Sequence, residues 1–159
     1  MAVNNITRLL DSRGIRYQAL QLPAQKSGAK ETARLLGVPP GLVYKSIVIT
    51  RVTPGKRILA VVPGDHEVNL KVLAQAVGEK KVVTTTQKEA EDLTGMQAGG
   101  ISPLALINRG FEIVIDGSAL THQEIYISGG ERGLSLRLRG QDLLNLTGAA
   151  AAEISRIPR

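Results

Sequence analysis

The sequence predicts a single α+β domain, and three observations carry that prediction. Short β-branched runs and short amphipathic runs follow one another irregularly and without internal repeat, unlike a regular doubly wound sheet. Glycine or proline closes most runs, so each element is punctuated at its end. The 159 residues, 43% hydrophobic and 21% charged, make an ordinary globular chain long enough to bury one core.

Residues 3–13 place Val3, Ile6, Leu9 and Leu10 at helical spacing, with Gly14 as the stop. "IRYQALQL" is expected as a strand, and "PAQKSGAK", 23–30, as a mobile surface loop. "KETARLLGV" forms a short helix closed by Gly37 and the Pro39-Pro40 pair. "GLVYKSIVIT", 41–50, is a strand, and "RVTPGKR" turns it through Pro54-Gly55 into the strand "ILAVVP", making a hairpin. "NLKVLAQAVG" sets Leu70, Leu73, Ala74 and Val77 on one helical face, capped by Asn69 and stopped by Gly78. "KKVVTTT" is a short strand and "QKEAEDLTG" a charged helix ending on Gly95. After "GGISPLAL" come the strands "FEIVID", "EIYIS" and "LSLRL", then a last helix "GQDLLNLTGA". Ala149 to Ala152 and "EISRIPR" are expected as an extension, giving a domain over 1–149 and a C-terminal tail over 150–159.

Composition excludes several classes of function. With no cysteine there is no disulfide, thiolate nucleophile or cysteine metal site. His66 and His122 each lack a second histidine at helical spacing, so no metal and no cofactor is expected, and both are expected as surface residues in polar turns. "GVPPGLVYKS" lacks the glycine that a P-loop needs directly before its lysine, and no G-x-S-x-G elbow is present. No apolar run is long enough for a bilayer, and the N-terminus lacks a secretory pattern, so a cytoplasmic protein without a membrane partner is expected. Twenty Lys+Arg against fourteen Asp+Glu give +6, which favours polyanions, although the scattered excess fits plain solubility as well. At 3% aromatic residues, the chain has no base-stacking platform.

Lys45 is the residue that stands out. On a strand's two-residue period Val43, Lys45, Ile47 and Ile49 share one face, and Tyr44, Ser46, Val48 and Thr50 the other. If the first face looks inward, a cation is aimed at the core or at a cavity in it; the plain alternative is a lysine that snorkels its ammonium to water. "GGISPL", 99–104, is the second feature: two glycines permit close backbone approach, and Ser102 can cap a helix begun by Pro103, leaving N–H groups near Gly100 to Ser102 for a carbonyl oxygen, an oxyanion or a phosphate. An ordinary capped helix start explains it equally. "SGGERG", 128–133, is a glycine-rich turn whose plain explanation is hairpin geometry.

Taken in order, "LLGVPPGLVYKSIVI", "NLKVLAQAVGEKKV", "EAEDLTGMQAGGISPL", "IVIDGSAL", "IYISGGERGLSLRL" and "DLLNLTGA" resemble the YbaK/EbsC family of aminoacyl-tRNA deacylases, related to the editing domain of bacterial prolyl-tRNA synthetases. The resemblance runs from about residue 3 to residue 149, with "GGISPL" and "SGGERGL" its most specific pieces. It implies a compact α+β domain around a mixed, partly barrel-like sheet, hydrolysing the ester of a mischarged tRNA in trans after a synthetase has released it.

By that resemblance Lys45 matches the strand lysine tied to activity, flanked by Tyr44 and Ser46; Gly99, Gly100, Ile101, Ser102 and Pro103 match the substrate-binding loop; and Ser128, Gly129 and Gly130 match another wall of the pocket. The implied partner is the acceptor end of a mischarged tRNA(Pro), with prolyl-tRNA synthetase as a further candidate and a monomer or weak homodimer as the acting species. Backbone N–H groups of Gly100 to Ser102 would hold the ester carbonyl, and Lys45 a phosphate or the developing charge, so no protein nucleophile is required. A lysine facing a phosphate keeps its pKa near or above about 10.4. Two departures bear on specificity. Members acting on cysteine carry polar groups where this chain has Leu20 and Leu22, and an acid where it has Ser135. A non-catalytic tRNA- or synthetase-binding module of the same fold is the alternative function.

Overall fold

The computed structural model describes residues 4–25 and 27–159; Val3 and Lys26, assigned above to the first helix and to the loop that follows the first strand, lie outside the described residues. In chain order the elements are α1 (Asn5–Ser12), β1 (Tyr17–Gln21), α2 (Ala29–Leu36), β2 (Tyr44–Arg51), β3 (Arg57–Pro63), β4 (Glu67–Val68), α3 (Leu70–Ala76), β5 (Val82–Thr84), α4 (Gln87–Thr94), β6 (Phe111–Asp116), β7 (Ile125–Ser128), β8 (Leu134–Leu138), α5 (Gly140–Thr147), β9 (Ala150–Ala152) and β10 (Ser155–Arg156).

Local chemistry sets the ends. Asn4 caps α1 by accepting from the Thr7 N–H at 2.9 Å, while its own N–H donates to the Thr7 hydroxyl at 2.9 Å. Thr86 and Glu89 form the same reciprocal cap on α4. Gly37 and Gly95 end α2 and α4 in the left-handed conformation, at φ +70 in both cases. The helix expected to start at Pro103 is instead a single 3₁₀ turn, Pro103–Ala105, too short to continue before β6.

The hairpin β2–β3 forms as expected, with Lys45 opposite Val62. It lies in a five-stranded mixed sheet of order β5-β2-β3-β6-β9, in which β6 runs parallel to β3 and β9 parallel to β6. A second, antiparallel sheet has the order β1-β8-β7. Val48, Leu59, Val61 and Ile113 on one side and Ile125, Ile127, Leu136 and Leu138 on the other interlock as the main core between the sheets. The opposite face of the large sheet, with Ile49, Ile58, Ala60 and Val62, is covered by Leu73 and Ala74 of α3. Each such aliphatic side chain withdrawn from water contributes about 1.5–3 kcal/mol.

Burial on both faces explains why β2 gives a nearly continuous apolar run instead of a clean alternation. The sheets meet at one corner, where a single bridge joins Val43 to Tyr126 and α2 packs Ala33 and Leu36 over the junction. They touch without closing into a barrel.

The last ten residues differ from the expected tail. Ala150–Ala152 is an edge strand of the large sheet, Ile154 is fully buried, and Ser155–Arg156 pairs with β4. The buried Asp116 carboxylate fixes this segment by accepting from the Ile154 N–H at 2.9 Å and the Ser155 hydroxyl at 3.0 Å. His66, expected as a surface residue, is drawn into the same anchor, its Nδ1 2.9 Å from the Ser155 hydroxyl. Among the described residues no helix is long and apolar enough to cross a membrane.

Candidate active site

The site begins where β2 loses a neighbour. The Gly64 N–H donates to the Val43 carbonyl at 2.7 Å, which fixes the alternation of the β2–β3 ladder. The Val43 carbonyl and the backbone groups of Lys45 and Ile47 therefore face β3, and Tyr44, Ser46 and Val48 turn theirs to the other edge. On that edge β5 pairs only from Ile49 to Arg51, and the Thr85 hydroxyl donates to the Val48 carbonyl at 2.9 Å. At the far end the Val43–Tyr126 bridge holds β7. Between these two points the strands part, and the gap is a cavity of about 290 Å³.

Tyr44, Lys45, Ser46 and Ile47 form one wall of the cavity, and Ile127, Ser128, Leu134 and Ser135 the opposite one. Residues from the loop before α2, among them Leu22, Pro23 and Ser27, close the top together with Ala29 and Thr32 of the helix. Ala98, Gly99 and Ile101 form the remaining side. The lining is mainly apolar. Among the described residues it contains no histidine, aspartate or glutamate, and Lys45 is its one formally charged side chain.

Lys45 is half-buried, and its Nζ donates to the Gly64 carbonyl at 3.3 Å. Burial pulls its pKa below the ordinary lysine value of 10.5; the charge of Lys30 pulls the same way, and Asp65 and Glu67 oppose it. Tyr44 contributes backbone to the cavity while its hydroxyl turns into the core, 2.7 Å from the Ser118 hydroxyl, which itself donates to Asp116 at 2.5 Å. Burial pushes the Tyr44 phenol up to about 12.

The structure brings the two glycine-rich turns into contact, and it divides the residues assigned to them. The backbone of Glu131 and Arg132 packs on Gly100, where a Cβ would lie 3.2 Å from three backbone atoms. The Arg132 Nε donates to the Ala98 carbonyl at 2.7 Å, and the Glu91 carboxylate accepts from the Ala98 N–H at 2.8 Å, so the loop is tied from both ends. Gly99, at φ +86, and Ile101 line the cavity. Gly100 does not, because its N–H turns back to the Gln97 carbonyl at 2.8 Å. Ser102 and Pro103 are buried behind it, the Ser102 hydroxyl accepting from the Leu104 N–H at 3.3 Å.

Ser128 lines the cavity, but Gly129 and Gly130 lie outside its lining and serve packing. A Cβ on Gly129 would meet Leu134 at 2.5 Å, and one on Gly130 would meet Ile6 at 2.6 Å. The sequence reading missed the loop before α2, whose turn composition conceals a lining role, and Leu134. Ser135 and Leu22, noted as departures from the family pattern, both face the cavity, whereas Leu20 packs under α2.

Residues 24–146 match the aminoacyl-tRNA editing domain. EbsC of Enterococcus faecalis, named as a Cys-tRNA(Pro)/Cys-tRNA(Cys) deacylase, is 31% identical over 153 residues, covering 95% of this chain and 92% of EbsC. The proline–tRNA ligase of Trichlorobacter lovleyi is 29% identical over 106 residues, which span 67% of this chain and only 18% of the ligase. Among solved structures, hypothetical protein APE2540 superposes with a TM-score of 0.87 at 27% identity, over 96% of this chain and 100% of that one. A protein described as a trans-editing enzyme for prolyl-tRNA synthetase superposes with a TM-score of 0.78 at 27% identity, over 98% of this chain and 99% of that one.

Proposed function

Because the chain belongs to the aminoacyl-tRNA editing domain family, we propose that it is a trans-editing deacylase that hydrolyses the ester of a mischarged tRNA, with cysteine or another small amino acid on tRNA(Pro) as the substrate. The observation that carries this reading is Lys45, among the described residues the single charged side chain in the wall of an apolar cavity where two sheets part. An aminoacyl ester is already activated, so the protein has to position it and stabilise the charge that develops on its carbonyl oxygen.

Lys45 supplies that charge stabilisation, oriented by the Gly64 carbonyl. An arriving phosphate or oxyanion raises its pKa again, so the group that burial has made reluctant to hold its proton is stabilised as a cation by the substrate itself. Among the described residues the lining holds no carboxylate or imidazole to act as general base, which favours water, or a nucleophile within the substrate such as a cysteine thiol, as the attacking group. On this reading Gly99 and Ile101 present the backbone side of the pocket, Ser46 and Ser128 its polar points, and Leu22, Ile101 and Leu134 receive the amino-acid side chain. A cationic side chain would be desolvated there beside Lys45 and without a partner, which selects against it.

The test is a panel of Cys-, Ala- and Ser-charged tRNA(Pro) presented to the wild-type protein and to Lys45→Ala. Turnover of at least one substrate by the wild type, lost in the variant with its fold intact, supports the reading. Salt-sensitive tRNA binding with no turnover of any substrate would make the protein a binding module instead.

A further inference from the structure

A second cavity, of about 440 Å³, lies against the first and shares Lys45 and Ile47 with it. We propose that this second cavity seats the terminal nucleoside of the RNA, with its phosphate on Lys71 and Arg156, so that Lys45 stands on the ridge between the aminoacyl group and the nucleotide. The proposal rests on the deacylase reading, since it places the two halves of one ester on the two sides of one lysine.

The chemistry of the walls favours a nucleotide over a longer amino-acid side chain. Ile47, Val68 and Leu70 make an apolar floor suited to the face of a base or sugar. The rim carries three cations, Lys45, Lys71 and Arg156, against one carboxylate, Glu67. Such an excess is costly next to an uncharged ligand and is neutralised by a phosphodiester.

The fold holds one of these cations in place. β10 pairs with β4 so that Arg156 faces Glu67, and the guanidinium Nε donates to the Glu67 carboxylate at 3.1 Å. The rest of the guanidinium fork remains for phosphate oxygens. Lys71 is exposed at the start of α3. The anchor beneath is the Asp116 carboxylate holding Ile154 and Ser155, which gives the C-terminal strand a role at the site rather than at the periphery.

The experiment uses the full chain and, as probe, the uncharged trinucleotide CCA, with charged tRNA(Pro) assayed in parallel. In the double variant Lys71→Gln/Arg156→Gln the trinucleotide should bind at least tenfold more weakly. KM for charged tRNA should rise by a similar factor with kcat held within about twofold, and the salt slope should fall by about one per lost phosphate contact. Glu67→Gln removes the one carboxylate and should tighten CCA binding, a change that a misfolded variant cannot mimic.

If the double variant keeps wild-type affinity for CCA and wild-type KM, the subsite is wrong whatever the catalytic result. If instead the variants shift CCA affinity as stated while no charged tRNA is hydrolysed by the wild type, the subsite stands and the deacylase reading fails. A KM that responds only to the size of the amino acid would assign the cavity to the aminoacyl side chain and overturn the proposal.

Discussion

Lys45 and Arg51 stand on the same face of β2, six residues apart, and have opposite fates. Arg51, with its side chain 10% exposed, is held at all three guanidinium nitrogens: it bonds Glu79 at 2.9 Å and the Lys56 carbonyl at 2.7 Å, and also reaches Glu112 and the Val77 carbonyl. Lys45, among the described residues, holds one hydrogen bond, 3.3 Å long, to the Gly64 carbonyl. Arg51 lies at the end of β2 that β5 pairs, and Lys45 where that edge is open. A buried cation with every nitrogen bonded is a structural part; one left short of partners at the wall of a cavity has capacity for a ligand.

Deleting each cation in turn should separate the two roles. Lys45→Ala should lower deacylation by about 10²–10³-fold, the loss typical of removing one preorganised electrostatic group, while the thermal midpoint stays near wild type. Arg51→Ala should do the reverse. Stripping the partner from Glu79 and Glu112 costs about 1–3 kcal/mol, read as a lower urea midpoint, and leaves activity per folded molecule close to wild type. If Arg51→Ala abolished turnover at full stability, the assignment of roles along the strand would be wrong.

Gly64→Ala should come next in size, because it touches both sides of the comparison. A Cβ there would lie 2.7 Å from the Ala29 Cβ and 2.9 Å from the Pro40 carbonyl oxygen, so α2 or the turn before β2 must shift. The expected cost is about 1–3 kcal/mol from overpacking. The same shift moves the carbonyl that orients Lys45 and the helix that closes the cavity, so kcat should fall by about 10- to 100-fold. Unfolding curves and single-turnover rates measured on one preparation separate the two losses.

How much of this was legible in the sequence differs sharply between elements. The β2–β3 hairpin, α1 and its Gly14 stop, and the cap at Asn69 were readable because period, turn residues and caps all agree there. Lys45 was readable as an exception to an apolar run. Gly100 and Ser102 were not readable as second-layer residues: glycine spacing tells that a backbone can turn, but not that the turn at Gly99 aims the next N–H at Gln97. The strand at Ala150–Ala152 was hidden because alanine carries little strand propensity, and its pairing with β6 is decided by Asp116, far away in sequence.

The smallest effect concerns the proton on Lys45. Its folded pKa lies below the ordinary lysine value, so the cation is lost as pH rises through that lowered pKa. If the cation does the work, activity on charged tRNA should have an alkaline limb set by this group. Burial is the largest cause and cannot be tuned without remaking the cavity, but the charges around the ammonium can. Lys30 lowers the pKa, so Lys30→Gln should move the alkaline limb to higher pH. Glu67 raises it, so Glu67→Gln should move the limb to lower pH. The shifts should be a fraction of a pH unit, shrinking further as salt screens these partly exposed charges. Limbs that moved in the opposite directions, or together, would mean that the group titrating in the profile is not Lys45, and that its contrast with Arg51 lies in packing and not in charge.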